Sequence, residues 1–207
     1  MKNALLLAAL ACTALPSSPL MAAEPTPFQV DQSLHHLSDE AMSALVVQLK
    51  VMESVGLPPQ VLEAMKETRI VIDPGLVDKA GVFAVRRGVG VVRVRPAAFD
   101  PGRPVVLHEL LHAYHFNVLK GDRPEIRQAY AQVMRDNPFP ARFRSAHFLE
   151  YDREFFAVTA TIYLFGDIQQ PPFSCNALSK LDPGYLAFLG AQFGPRTCGG
   201  VQGQAAP

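Results

Sequence analysis

The chain has 207 residues, of which 49% are apolar and 18% are charged, a composition that supports a compact core and excludes general disorder. Because 19 Lys and Arg balance 19 Asp and Glu, no charge surplus directs the protein to nucleic acid or to an anionic membrane. The length corresponds to one domain once a leader is removed.

Residues 1–23 have the pattern of a secretory signal peptide. Lys2 precedes an apolar run over residues 4–15, which prolines and serines break before the segment ends in Ala22-Ala23. The run is too short for a membrane anchor, so no membrane span is expected. We predict cleavage after Ala23 and a secreted or periplasmic protein, with lipid attachment at Cys12 as the alternative.

The mature chain, residues 24–207, is predicted to form a single domain, because it contains no internal repeat and no linker. We expect a monomer. Of the three cysteines, Cys12 lies in the leader and leaves Cys175 and Cys198. An even pair in an oxidising compartment predicts one disulfide, and two free buried thiols are the alternative.

Apolar periodicity and turn residues predict the elements up to residue 100. In chain order they are an irregular lead-in over 24–37, helices over 38–55 and 58–68, and strands over 69–73, 81–85 and 89–95. The last two strands should form a hairpin around residues 86–88. Its arginines are interpreted either as a solvated strand face or as the lining of a cleft for an acidic substrate; they are Arg86, Arg87, Arg93 and Arg95.

The second half of the chain is predicted to be mostly helical. The predicted helices cover residues 104–120, 124–136 and 151–165, with one or two short helices within 176–193. The first and third are apolar on most sides and should therefore be buried. The predicted class is α+β.

The first of these buried helices carries His108-Glu109-Leu110-Leu111-His112. Residues four apart lie on one helix face, so both imidazoles can reach a single Zn²⁺. Glu109 is then placed to act as the general base that takes a proton from water. His115 shares the face, but it lies about 10 Å along the axis from His108 and is too far to bind the same ion. A chance match to this short motif is the alternative interpretation.

A catalytic zinc needs a third protein ligand and one open position. The candidates are the acids Glu150, Asp152 and Glu154 at the start of the second buried helix. Glu154 precedes a fully apolar run, where an unpaired carboxylate is unfavourable. Glu150 is expected to be exposed, and Asp152 is a candidate acceptor that orients a ligand histidine.

Three motifs together resemble the gluzincin zinc metallopeptidases related to the catalytic domain of anthrax lethal factor. They are His-Glu-Leu-Leu-His at 108–112, Glu-Phe-Phe-Ala at 154–157, and Asp182-Pro183 followed by Tyr185. The resemblance covers roughly residues 69–193. It implies a zincin-like fold, in which a small twisted sheet packs against a central HExxH helix and a second ligand-bearing helix.

The resemblance also implies roles for particular residues. Glu154 would be the third zinc ligand and Glu109 the general base. The family usually has a second acid where this chain has Val158, and a tyrosine where it has His147. His147 would then be the donor that stabilises the oxyanion, with Tyr151 as the alternative donor.

The combined expectation is a secreted zinc-dependent peptidase with Zn²⁺ as cofactor and a peptide or protein as substrate. An extended peptide would add to the edge of the strand at 89–95, as in zincins. The alternative is a non-catalytic secreted module that binds zinc and peptides through a degenerate zincin site.

Overall fold

A four-stranded mixed sheet is formed within residues 27–194, the part of the chain that the computed structural model describes. Its strands are β1 (Val30–Asp31), β2 (Ile70–Ile72), β3 (Gly81–Arg86) and β4 (Val89–Val94). The spatial order is β1-β2-β4-β3, with β3 antiparallel to β4 and the other neighbours parallel. The short β2 is buried along its whole length, which explains its uninterrupted β-branched sequence.

Seven α-helices follow or interleave with these strands in the described residues. They are α1 (Asp39–Ser54), α2 (Pro59–Lys66), α3 (Val105–Asn117), α4 (Pro124–Asp136), α5 (Asp152–Phe165), α6 (Cys175–Leu178) and α7 (Pro183–Phe193). Side-chain caps begin three of them: Ser38 accepts the N–H of Ala41, Ser174 accepts the N–H of Ala177, and Asp182 accepts the N–H of Tyr185. The predicted α+β class is confirmed.

Helix α3 occupies the centre of the fold. It packs against β3 and β4, against α5, and against α1 and α2. Its apolar residues Leu107, Leu110 and Leu111 are fully buried, as the sequence predicted for a helix that is apolar on most sides. The polar side chains of Glu109 and His112 therefore lie between β3 and α5.

The start of α3 is capped from a distant part of the chain. Pro104 offers no side-chain cap, and Gln48 of α1 supplies the missing partners. Its amide oxygen accepts the N–H of Val106 at 3.3 Å, and its amide nitrogen donates to the carbonyl of Arg103 at 3.1 Å. Gln48 is 1% exposed and Val106 is fully buried, so water cannot replace Gln48 as the partner of the Val106 N–H.

Strand order corrects one prediction. The strand at 89–95 was expected to present a free edge, but β4 lies between β2 and β3. The outer strand on this side is β3, because a two-residue turn at Arg87-Gly88 folds it back along β4. Both turn residues have positive φ, 52° and 78°, which is the geometry of the tight hairpin turns that match strand twist.

The lead-in was also predicted incompletely, because residues 30 and 31 form β1 and pair in parallel with β2. The predicted signal peptide and Cys198 lie outside the described residues. Cys175 is disulfide-bonded, which agrees with the predicted oxidised cysteine, and its pairing with Cys198 stays a prediction. Within residues 27–194, no helix has the length and apolarity required to cross a bilayer.

We expect Gln48→Leu to lower the free energy of unfolding by about 1–3 kcal/mol, because it leaves the Val106 N–H in the buried first turn of α3 without its partner. Urea unfolding followed by circular dichroism measures the change. Gln60→Leu, at an exposed position of α2, is the matched control and should stay within about 0.5 kcal/mol of wild type. Equal stability of the two variants would contradict the capping role.

Candidate metal centre and its cleft

His108 and His112 of α3 turn their imidazoles toward one point. Their Nε2 atoms are 3.2 Å apart, and the rings meet edge to face with centroids 4.8 Å apart. The four-residue spacing places both side chains on one face, as predicted.

Helix α5 brings the Glu154 carboxylate to the same point. Its Oε2 atom lies 3.2 Å from His112 Nε2 and 3.5 Å from His108 Nε2. Burial acts to raise the pKa of Glu154, but hydrogen bonds from His108, His112 and His147 outweigh burial and hold the pKa well below its ordinary value. Glu154 is therefore an ionised carboxylate beside two imidazoles.

The spacing of these three atoms matches a tetrahedral metal site. Ligand atoms that lie about 2.0–2.1 Å from a zinc ion at tetrahedral angles are separated from one another by about 3.3 Å. The separations here are 3.2, 3.2 and 3.5 Å. Two imidazoles and one carboxylate are also a known donor set of catalytic zinc. The residues present therefore fit the predicted ion, and their role as ligands stays a prediction.

Glu109 lies beside this cluster but is held by the sheet. Its carboxylate accepts the backbone N–H of Phe83 in β3, and burial raises its pKa above the ordinary value. A side chain at Gly81 would place Cβ 2.9 Å from Glu109 Cγ, so glycine is required there for the close approach of strand and helix. Glu109 also forms a possible metal-binding group with His108 and His112, their atoms within 4.8 Å of one another. Glu154 fits the position of a third ligand better than Glu109 does. Its oxygen lies 3.2–3.5 Å from the two imidazole nitrogens, and the Glu109 carboxylate is already bonded to β3.

His147 lies on a 3-10 turn, His147–Leu149, that precedes α5. Its Nε2 atom is 3.1 Å from Glu154 Oε2, and its Nδ1 atom is 3.1 Å from Glu150 Oε2. The Glu154 carboxylate, followed by that of Glu150, raises the pKa of His147 to about 9. Tyr151, the alternative donor, is exposed beside the same cleft.

Asp152 and His115 also line the cleft. Asp152 was expected to orient a ligand histidine, and this is wrong: its Oδ1 accepts the N–H of Arg153 at 2.8 Å, and it bonds to neither His108 nor His112. As the first residue of α5, Asp152 turns toward its own helix end. His115 is a buried cleft histidine, as predicted, with its ring 5.1 Å from that of Phe156.

The cluster lines a cleft of about 810 Å³ between β3, α3 and the start of α5. Near the start of α3 the cleft is lined by Arg103, Gln169 and Gln170, and near its end by Phe116 and Gly121. The four arginines of the hairpin do not line the cleft, so the interpretation that they line it for an acidic substrate is wrong. They are Arg86, Arg87, Arg93 and Arg95. Arg93 instead pairs with the buried Asp73.

We expect Glu154→Ala to weaken zinc binding by more than the roughly 10–100-fold typical for loss of a group outside the ligand shell, because it removes a ligand atom. Glu150→Ala is the matched control and should keep the metal, since the Glu150 carboxylate contacts His147 and not the two α3 histidines. Zinc titration and elemental analysis of the purified variants measure both. The reverse pattern would identify Glu150 as the ligand.

No protein-family model matches the chain, and no curated protein or solved structure matches it either. The resemblance to gluzincins therefore rests on the three short motifs in the sequence. The function has to be inferred from the donor atoms, the buried Glu109 and the cleft.

Proposed function

We propose that the protein is a secreted zinc-dependent peptidase of the gluzincin type, with a zincin-like fold, that hydrolyses a bond of a bound peptide. The observation that supports this most is the convergence of His108, His112 and Glu154, with their ligand atoms 3.2–3.5 Å apart, in a cleft that also contains Glu109. Secretion is proposed from the leader pattern of residues 1–23.

His108, His112 and Glu154 would hold the ion. When bound, zinc supplies a Lewis acid that lowers the pKa of water toward about 7 and polarises a carbonyl group. The ionised state of Glu154 and the shared face of the two histidines prepare the site for a divalent cation. The three donor atoms already lie 3.2–3.5 Å apart, so no further residue has to move to complete a set of three ligands.

Glu109 acts as the general base. Burial raises the pKa of its carboxyl group, which makes it a stronger proton acceptor in its ionised form, and the Phe83 N–H fixes its position against β3. It takes a proton from the attacking water as the water oxygen bonds to the carbonyl carbon. It then gives this proton to the amide nitrogen as the C–N bond breaks.

The oxyanion that develops on the carbonyl group needs a hydrogen-bond donor. His147 is the first candidate, because it lines the cleft and is half exposed; its Nε2–H contacts Glu154 and would have to turn from that carboxylate to reach the oxyanion. The Tyr151 hydroxyl is the second candidate, because Tyr151 also lines the cleft. His147 is protonated at neutral pH, because the Glu154 and Glu150 carboxylates raise its pKa to about 9.

Strand β3 offers its outer edge to an extended peptide. Arg86 pairs with Val89 across the two-residue turn, so hydrogen-bonded pairs alternate from there along the hairpin. This alternation points the backbone groups of Gly81, Phe83 and Val85 away from β4. The hydrogen bond from the Phe83 N–H to Glu109 agrees with this alternation, because it is made on the side of β3 away from β4. Because Glu109 accepts the Phe83 N–H, a substrate strand would pair with the Phe83 carbonyl and with the backbone groups of Gly81 and Val85.

A non-catalytic module that binds zinc and peptides is the second candidate function. The observation in its favour is that both ring nitrogens of His147 contact carboxylates, of Glu154 and Glu150, and neither points to open space in the cleft. Val158, where related peptidases usually have a second acid, is buried and apolar.

We expect Glu109→Gln to keep zinc and to lose peptide hydrolysis by about 10²–10⁴-fold, because the amide accepts the same Phe83 hydrogen bond but cannot accept a proton from water. Elemental analysis and mass spectrometry of a digested peptide library measure the two properties. Cleavage only in the wild type supports a peptidase. Zinc in both proteins with cleavage in neither supports the binding module, and no zinc in either contradicts both candidates.

The oxyanion donor is identified by comparing His147→Gln with Tyr151→Phe. We expect the His147 variant to lose about 10²–10³-fold in kcat with little change in KM, because the lost hydrogen bond forms only as charge develops. Steady-state kinetics on one cleaved peptide separates the two constants. The same loss in Tyr151→Phe, with His147→Gln near wild type, would assign the role to the tyrosine.

A further inference from the structure

Three apolar side chains form a subsite at one end of the cleft. Phe83 and Val85 come from β3 and Phe116 from the last turn of α3, and all three line the cleft. The Phe83 ring lies parallel to the His112 ring at 6.4 Å and contacts the Phe116 ring at 5.8 Å. We refer to these three residues as the apolar subsite.

The position of Phe83 is fixed by its neighbours. A side chain at Gly90 of β4 would place Cβ 2.7 Å from two atoms of the Phe83 ring, so the ring can lie over the β4 backbone only because that residue is glycine. Phe116 and Val85 stay 38% and 46% exposed, although they are apolar. A fixed aromatic ring flanked by two exposed apolar side chains offers contact area for one further apolar side chain.

The opposite end of the cleft is different in chemistry. It is lined by Arg103, Gln169 and Gln170, with Asp78 and Lys79 from the segment before β3. The two ends therefore favour different side chains on the two sides of the cleaved bond.

The direction of β3 assigns the apolar subsite to one side of that bond. β3 starts at Gly81, against the Glu109 side chain, and runs toward Val85 and the hairpin turn. A peptide that adds antiparallel to β3, the more stable arrangement, runs the opposite way. Its residues beside Val85 and Phe116 then precede those beside Glu109, where the bond is cleaved.

We infer that the substrate is a peptide with a large apolar or aromatic side chain on the amino-terminal side of the cleaved bond, and that Phe83, Val85 and Phe116 select this side chain. The inference rests on the proposed peptidase function. It adds a preference and a direction that the metal centre alone does not define.

The experiment is a comparison of cleavage sites in a randomised peptide library. Zinc-loaded wild type, Phe116→Ser and Val118→Ser are incubated with the library, and the products are sequenced by mass spectrometry. Val118 is the matched control, because it is 44% exposed at the same end of α3 and does not line the cleft. Val85→Ser is a second variant in β3, used if Phe116→Ser does not fold.

We expect wild type and Val118→Ser to cleave with a strong excess of large apolar residues before the cleaved bond. In Phe116→Ser this excess should fall by about tenfold, a usual size for loss of apolar contact in a specificity pocket. Cleavage by wild type without such an excess, or with the excess after the cleaved bond, would overturn the inference and leave the peptidase function intact.

A binding measurement separates failure of the subsite from failure of catalysis. Zinc-loaded Glu109→Gln is immobilised, the same library is passed over it, and the retained peptides are sequenced. Retention of apolar peptides that Phe116→Ser abolishes in this background supports the subsite even if wild type cleaves nothing, in which case only the peptidase proposal fails. Retention without apolar preference overturns the subsite.

Discussion

The packing of α5 against α3 is the interaction on which the candidate site depends. His108 and His112 need only one helix, but Glu154 reaches them only because the two buried helices lie side by side. The ring of His115 on α3 lies against that of Phe156 on α5, two residues after Glu154. Phe156 is fully buried, so apolar packing positions the polar triad, which by itself would be unfavourable to bury.

The sheet places the remaining groups relative to that pair of helices. Glycine at position 81 lets β3 approach α3 closely enough for the Phe83 N–H to hold Glu109, and glycine at position 90 lets the Phe83 ring lie close to the β4 backbone. The same strand thus fixes the proposed general base through its backbone and the apolar subsite through its side chain. Gln48 contributes from α1 by satisfying the first turn of the helix that carries both histidines.

The local signals in the sequence predicted most of the helical frame. Proline at 124 and the capping residue Ser38 begin helices where they were expected, because these signals act within one turn. The proximity of Glu154 to the two histidines was also anticipated, since an acid before a fully apolar run requires a partner. The four-residue spacing of the histidines and the need of Glu154 for a partner both agree with the cluster of His108, His112 and Glu154.

Features that depend on long-range pairing were not predictable in the same way. A two-residue β1 and the position of β3 outside β4 follow from which strands meet, and periodicity within one strand carries no such information. Asp152 turned to its own helix end, where its carboxylate accepts the N–H of Arg153 in the first turn of α5. Gln48 did leave a signal, a polar residue within the apolar stripe of α1, which indicates a buried hydrogen-bond partner.

X-ray absorption at the zinc edge of the metal-loaded protein tests the central claim most directly. We expect two imidazole nitrogens bound to zinc at about 2.0–2.1 Å, with oxygen as the remaining ligand type and no sulfur. A shell with a third imidazole, a shell containing sulfur, or no specific zinc uptake would contradict a site built from His108, His112 and Glu154.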